Sequence, residues 1–92
     1  MSIIRINRFV AKSDSTEKLQ AYMQEILANV KTLPGCKSVK LLHSTERPEN
    51  FAVIEEWDSV EAHQRAAATA TQATLDKVRA LIARPPVGEY FQ

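Results

Sequence analysis

The sequence predicts an α+β chain in which two β-α-β units follow one another. Short segments rich in β-branched residues alternate with longer stretches of helical periodicity, and each long stretch opens on an Asp-Ser pair and closes at a proline. With 92 residues there is room for one hydrophobic core, so a single domain over 1–92 is expected.

Residues 3–11 (IIRINRFVA) alternate imperfectly and carry apolar groups on both faces, which reads as a first strand covered on both sides. In the segment that follows, Asp14 is expected as N-cap with Glu17 three residues on, a variant of the capping box. Leu19, Tyr22, Met23, Ile26, Leu27, Val30 and Leu33 then fall on one helical face, and Pro34-Gly35 stops the helix.

A second strand is expected over 36–44, with Val39, Leu41 and His43 on one face, followed by a loop at 45–50 that holds Pro48. The third strand, 51–57, places Phe51, Val53, Glu55 and Trp57 on one face and Ala52, Ile54 and Glu56 on the other. Asp58 is expected to cap a second helical region reaching about Arg84, with Glu61 at N3. The small-residue run Ala66 to Thr74 divides it, because Thr69 and Thr71 suit caps better than helix interiors. Pro85-Pro86 ends the region, and 87–92 reads as a short edge strand.

This order is the ferredoxin-like βαββαβ arrangement, an antiparallel four-stranded sheet with both helical regions on one face. Its other face would lack cover although the strands carry apolar groups there. Two sheets packed face to face as a dimer resolve this.

Twelve basic residues against eleven acidic ones, interspersed along the chain, offer no concentrated patch for a phosphate backbone, so no nucleic-acid partner is expected. A single cysteine forms no internal disulfide, and no apolar run is long enough to span a bilayer. A cytoplasmic protein with no membrane partner is the expectation.

Several polar residues on apolar strands are candidate site groups. Asn7 lies mid-strand, where its amide needs a partner, either a structural group or a substrate carbonyl or phenolate. Glu55 shares a face with Trp57; it either pairs with Arg5 or Arg8 or serves as a general base raised by burial. His63, one turn into the second helical region, and His43 are the two histidines and the groups that titrate near neutrality. Trp57 either packs an aromatic substrate or seals the dimer seam, and Phe9 adds apolar surface for a ligand. No spacing resembles a metal site, and Cys36 reads as a small filler.

Asn7-Arg8 in the opening strand, the Pro34-Gly35-Cys36 turn, and Phe51-x-x-x-Glu55-x-Trp57 followed at once by a capped helix resemble the antibiotic biosynthesis monooxygenase family. The resemblance spans nearly the whole chain. It implies a homodimer forming a dimeric α/β barrel, with a cavity between sheet and helices in each protomer. It further implies oxidation of a small aromatic, quinol-like molecule by molecular oxygen, with no metal or flavin cofactor.

On that basis Asn7, Glu55 and His63 are the expected catalytic residues, and Phe9, His43 and Trp57 the expected substrate contacts. A haem-degrading branch carries an asparagine where Asn7 stands. Anchored on Trp57, however, Ala66 and Asp76 occupy the places of its tryptophan and histidine. Ala66 also stands where many quinol-oxidising relatives have histidine. The alternatives are a non-catalytic ligand-binding or interaction module on the same barrel and an isomerase of small oxygenated metabolites.

Overall fold

The computed structural model describes residues 2–92. The elements run β1 (Ile3–Val10), α1 (Thr16–Val30), β2 (Cys36–His43), β3 (Asn50–Trp57), α2 (Val60–Ala67), α3 (Gln72–Leu81) and β4 (Val87–Phe91). The strands form one sheet in the order β2-β3-β1-β4, and every neighbouring pair is antiparallel. This is the expected ferredoxin-like α+β fold, with strand limits within one residue of those read from the sequence. β4 pairs with β1 alone, so it is an edge strand.

β3 shows the strand period most cleanly. Phe51, Val53, Glu55 and Trp57 are buried while the residues between them are half-buried. Phe51 and Val53 join Phe9, Ala11, Leu19, Met23, Leu27 and Ile82 in the main core, and Trp57 joins Ile3 and Ala62 in a second cluster. Each fully buried side chain of leucine size contributes about 1.5–3 kcal/mol. α1 presents Leu19, Met23 and Leu27 at four-residue spacing, which orients the helix on the sheet.

The helix starts differ from expectation by one residue. Ser15 and Ser59 are the N-caps, not Asp14 and Asp58, so Glu17 and Glu61 fall at N2 and neither capping box closes. Asp58 is held by the preceding turn, where its backbone N–H donates to Gly35 O at 2.8 Å. That leaves Ser59 Oγ to accept from Ala62 N at 3.0 Å. At α1 the Ser15 hydroxyl donates to Asp14 Oδ1 instead, and no side chain caps the helix.

α1 ends at Val30, before Leu33, because the chain tightens there. Thr32 N–H donates to Asn29 O and Leu33 N–H to Val30 O. Gly35 then takes φ 87°, where a Cβ would stand 2.7 Å from that of Ala62. The second helical region divides as expected, and Thr71 caps α3 by accepting from Thr74 N at 3.1 Å.

The sheet face turned away from the helices carries Ile4, Ile6, Ala52, Ile54, Leu42, Val87 and Phe91, as the pairing register dictates. Among the described residues nothing covers this face. Val87 is 64% exposed, Phe91 41% and Leu42 38%.

Candidate active site

The two central strands set the floor of the site. On the helix-facing side β1 contributes Arg5, Asn7 and Phe9, and β3 contributes Glu55, Val53 and Phe51 directly opposite them. β4 places Tyr90 beside Arg5 and Gly88 beside Asn7. Gly88 is required by this crossing, since a Cβ there would collide with Asn7 Oδ1 and Arg5 Nη2.

A cavity of about 350 Å³ lies between this floor and the helices. Asn7, Phe9, Val53 and Glu55 line its base, Met23, Ile26, Leu27 and Val30 its α1 wall, and Leu75, Val78 and Arg79 its α3 wall. Its volume lies at the small end of ligand sites, and its surface is apolar apart from a few polar groups, Asn7 and Glu55 among them. A second hollow of about 420 Å³ sits at one end of the sheet, lined by Arg8, Leu42, His43, Arg84 and Val87 among others. It is larger but holds neither Asn7 nor Glu55, so the chemistry is sought in the first.

Glu55 is 6% exposed. Burial pushes its carboxyl above the ordinary carboxylate range, outweighing the Trp57 hydrogen bond and the Arg5 charge, which both pull it down. The Trp57 indole N–H donates to Glu55 Oε1 at 2.8 Å. Among the described residues no hydrogen bond engages Oε2, which is therefore the oxygen available to a molecule in the cavity.

His63 reaches the same carboxylate from α2, with Nε2 3.8 Å from Glu55 Oε1 and Nδ1 2.6 Å from the Tyr90 hydroxyl. Its ring meets both Trp57 and Tyr90 edge to face. An ion pair with Glu55 would raise the imidazole pKa, yet burial first and the Arg5 charge second lower it. His63 is thus neutral near pH 7, and its separation from Glu55 is a contact between a neutral ring and a carboxylate.

Arg5 lies over the Tyr90 ring, 4.5 Å from guanidinium carbon to ring centroid, and its buried Nε has no hydrogen-bond partner among the described residues. The expected pairing of Glu55 with Arg5 or Arg8 does not form. Arg8 projects from the opposite face, and the carboxylate is taken up by Trp57 two residues along its own strand. Among the described residues the three ion-pair contacts are Lys37–Asp58, His63–Glu55 and Arg79–Asp76.

Of the residues singled out from sequence, Asn7, Phe9 and Glu55 share the cavity, and His63 contacts Glu55 from behind it. Trp57 is 1% exposed on the inner side of the sheet, so it backs Glu55 instead of lining the cavity or sealing an outer seam. His43 stands apart: it stacks on Phe51 at 4.3 Å, lies 2.6 Å from Pro48 O through Nε2, and lines the second hollow. Arg5, Gly88 and Tyr90 complete the constellation and were missed as site residues. The signal for Tyr90 was the one hydroxyl-bearing aromatic of the edge strand, next to Phe91. Burial and the nearby Glu55 charge push the Cys36 thiol up, so it is no activated nucleophile. Among the described residues, no cluster of three His, Cys, Asp or Glu could hold a metal ion.

Fold and site together define a small ferredoxin-like α+β protein with a buried carboxylate and an amide at the floor of an apolar cavity. The chain belongs to the antibiotic biosynthesis monooxygenase family, whose model matches residues 2–79. A Nitrosomonas europaea protein described as an antibiotic biosynthesis monooxygenase superposes with a TM-score of 0.90 at 21% identity, covering 98% of this chain and 88% of that one. SnoaB, a cofactor-independent oxygenase from Streptomyces nogalater, superposes with a TM-score of 0.83 at 20% identity, covering 99% and 91%. Rv0793 from Mycobacterium tuberculosis gives a TM-score of 0.87 at 19% identity, covering 100% and 94%. At these identities the likeness is one of fold. No curated protein matches the sequence.

Proposed function

We propose that the protein is a cofactor-independent monooxygenase acting on a small aromatic, quinol-like substrate, and that it works as a cytoplasmic homodimer. The observation that carries this reading is Glu55, a carboxyl raised by burial, set beside Asn7 at the base of an apolar cavity. Family membership supports it, as does the fold shared with SnoaB.

In this reading Glu55 Oε2 takes a proton from the substrate, and the electron pair of the broken bond stays on the aromatic system. A base with a raised pKa is better matched to a weakly acidic phenol or benzylic position than an ordinary carboxylate is. The Asn7 amide donates to the resulting oxyanion, and the apolar lining of the cavity strengthens that contact. The electron-rich anion then reduces molecular oxygen directly. At a carbon bearing two hydrogens, one oxygen atom becomes the carbonyl and the other leaves as water with both hydrogens.

The uncovered sheet face supports the homodimer. Ile6 and Ile54 sit side by side at its centre, with Arg8, Lys40, Glu56 and Glu89 around them, an apolar patch ringed by charges of both signs.

Oxygen consumption over a panel of aromatic quinols, without added metal or flavin, tests the activity. Wild type is expected to consume oxygen, Glu55→Gln to lose on the order of a hundredfold in kcat, and Asn7→Ala to lose about as much. Wild type that turns over no member of the panel would sink the proposal.

A further inference from the structure

Tyr90 lies beyond residues 2–79, the part of the chain that matches the family. It nevertheless touches the site through one short contact, its hydroxyl 2.6 Å from His63 Nδ1. A neutral imidazole carries a single N–H, so one of its nitrogens donates and the other accepts. Nε2 faces Glu55 Oε1, an oxygen already accepting from Trp57, and a lone pair turned toward that oxygen would be repelled. The proton therefore belongs on Nε2. Nδ1 is left as acceptor, and the Tyr90 hydroxyl must donate.

We propose that Tyr90 is a positioning residue: its donation to His63 Nδ1 holds the imidazole in the tautomer whose Nε2–H faces Glu55 Oε1, leaving Oε2 to take the substrate's proton. This rests on Glu55 being the base of the proposed reaction. Trp57 and His63 then approach Oε1 as two N–H groups, one hydrogen-bonded at 2.8 Å and one facing it at 3.8 Å, beyond hydrogen-bond range. The charged and ionisable groups gathered here are Glu55 on β3, Arg5 on β1, Tyr90 on β4, Cys36 on β2, which feels the Glu55 charge, and Arg79 on the α3 wall of the cavity. Arg5 also packs on the Tyr90 ring, which fixes the phenol that orients the imidazole.

Long-range ¹H–¹⁵N NMR of the imidazoles reads the tautomer without any substrate, and His63→Gln identifies the His63 signal. Wild type is expected to show the Nε2–H tautomer, and Tyr90→Phe, which keeps the ring, a mixture of both. In turnover, Tyr90→Phe should shift the acidic limb of kcat/KM to higher pH, because a carboxylate that loses a facing N–H becomes harder to ionise. Its kcat on the alkaline side of that limb should change little, because the facing N–H stabilises the ionised ground state of Glu55 and not the transition state. If Tyr90→Phe does not fold, fluorotyrosine at position 90 keeps the packing, strengthens the donor and should move the Nδ1 resonance. An Nδ1–H tautomer in wild type, or a tautomer and pH limb unmoved by Tyr90→Phe, would overturn the proposal. Wild type inert toward every quinol would instead overturn the oxygenase reading, and the NMR result would still decide the role of Tyr90.

Discussion

The indole of Trp57 and the carboxylate of Glu55, two residues apart on one strand face, are joined by a 2.8 Å hydrogen bond in the interior of the protomer. A tryptophan N–H that would otherwise be buried without a partner thereby stabilises a carboxylate that burial opposes. Trp57→Phe removes the donor and leaves a void in the second core cluster. Denaturant unfolding should register a loss of roughly 2–3 kcal/mol, and the carboxyl of Glu55 should move further up, seen in its side-chain carbonyl NMR titration.

Glu55 and His63 have opposite linkage to pH. Burial lifts the Glu55 carboxyl above its ordinary 4.5, so the folded protein binds that proton more tightly than the unfolded chain, and stability falls as pH rises from 4.5 through the raised value. Burial, then Arg5, lowers His63 below its ordinary 6.5, so stability is lost as pH falls from 6.5 through the lowered value. Glu55→Gln keeps an Oε1 acceptor for Trp57 and removes only the first effect. Relative to wild type it should gain stability as pH rises above 4.5 and lose that gain in acid, measured by unfolding midpoints from about pH 4 to 8.

Gly88→Ala tests the crossing of Arg5 and Asn7 over β4. The colliding atoms are the far ends of flexible side chains, so both can swing aside at little cost to the fold. The melting temperature should change by only a few degrees, of order 1 kcal/mol. Oxygen uptake with an active quinol should nevertheless drop, because the Asn7 amide leaves its place in the cavity. A variant with unchanged uptake would separate Asn7 from the reaction.

Ile54→Asp addresses the uncovered sheet face. Its neighbours across the ladder are Ile6 and Lys40, so the substitution plants a charge in the middle of the apolar patch. Wild type should sediment as a dimer and the variant as a monomer. A monomeric wild type at micromolar concentration would remove the dimer from the proposed function.

Most of the fold was legible because its signals are local. The two-residue period of Phe51 to Trp57, the α1 stripe at Leu19, Met23 and Leu27, and the break before Thr71 each appear within a few residues. The caps slipped by one place because Asp and Ser are adjacent at both helix starts and are nearly equal as caps. Neighbouring hydrogen bonds, such as Asp58 N–H to Gly35 O, decide between them.

The site was only half legible. Asn7 and Glu55 stood out as polar groups on apolar strands. The meeting of His63 with Tyr90, however, spans 27 residues and depends on β4 joining the sheet beside β1. The expected Glu55–Arg5 pair was sound as a register, since the two are opposite one another. It failed as an ion pair because Trp57 takes the carboxylate and Arg5 turns onto Tyr90.

The division between a floor of central strands and a roof of α3 assigns different kinetic duties to the two. Asn7 and Glu55 ride on β1 and β3, each hydrogen-bonded to a strand on either side, whereas α3 contains no fully buried residue. Backbone amides of the floor should exchange with solvent only on global unfolding, and those of α3 through far smaller openings. Breathing of the roof would then meter how quickly a substrate enters and product escapes, while the reacting groups beneath hold still.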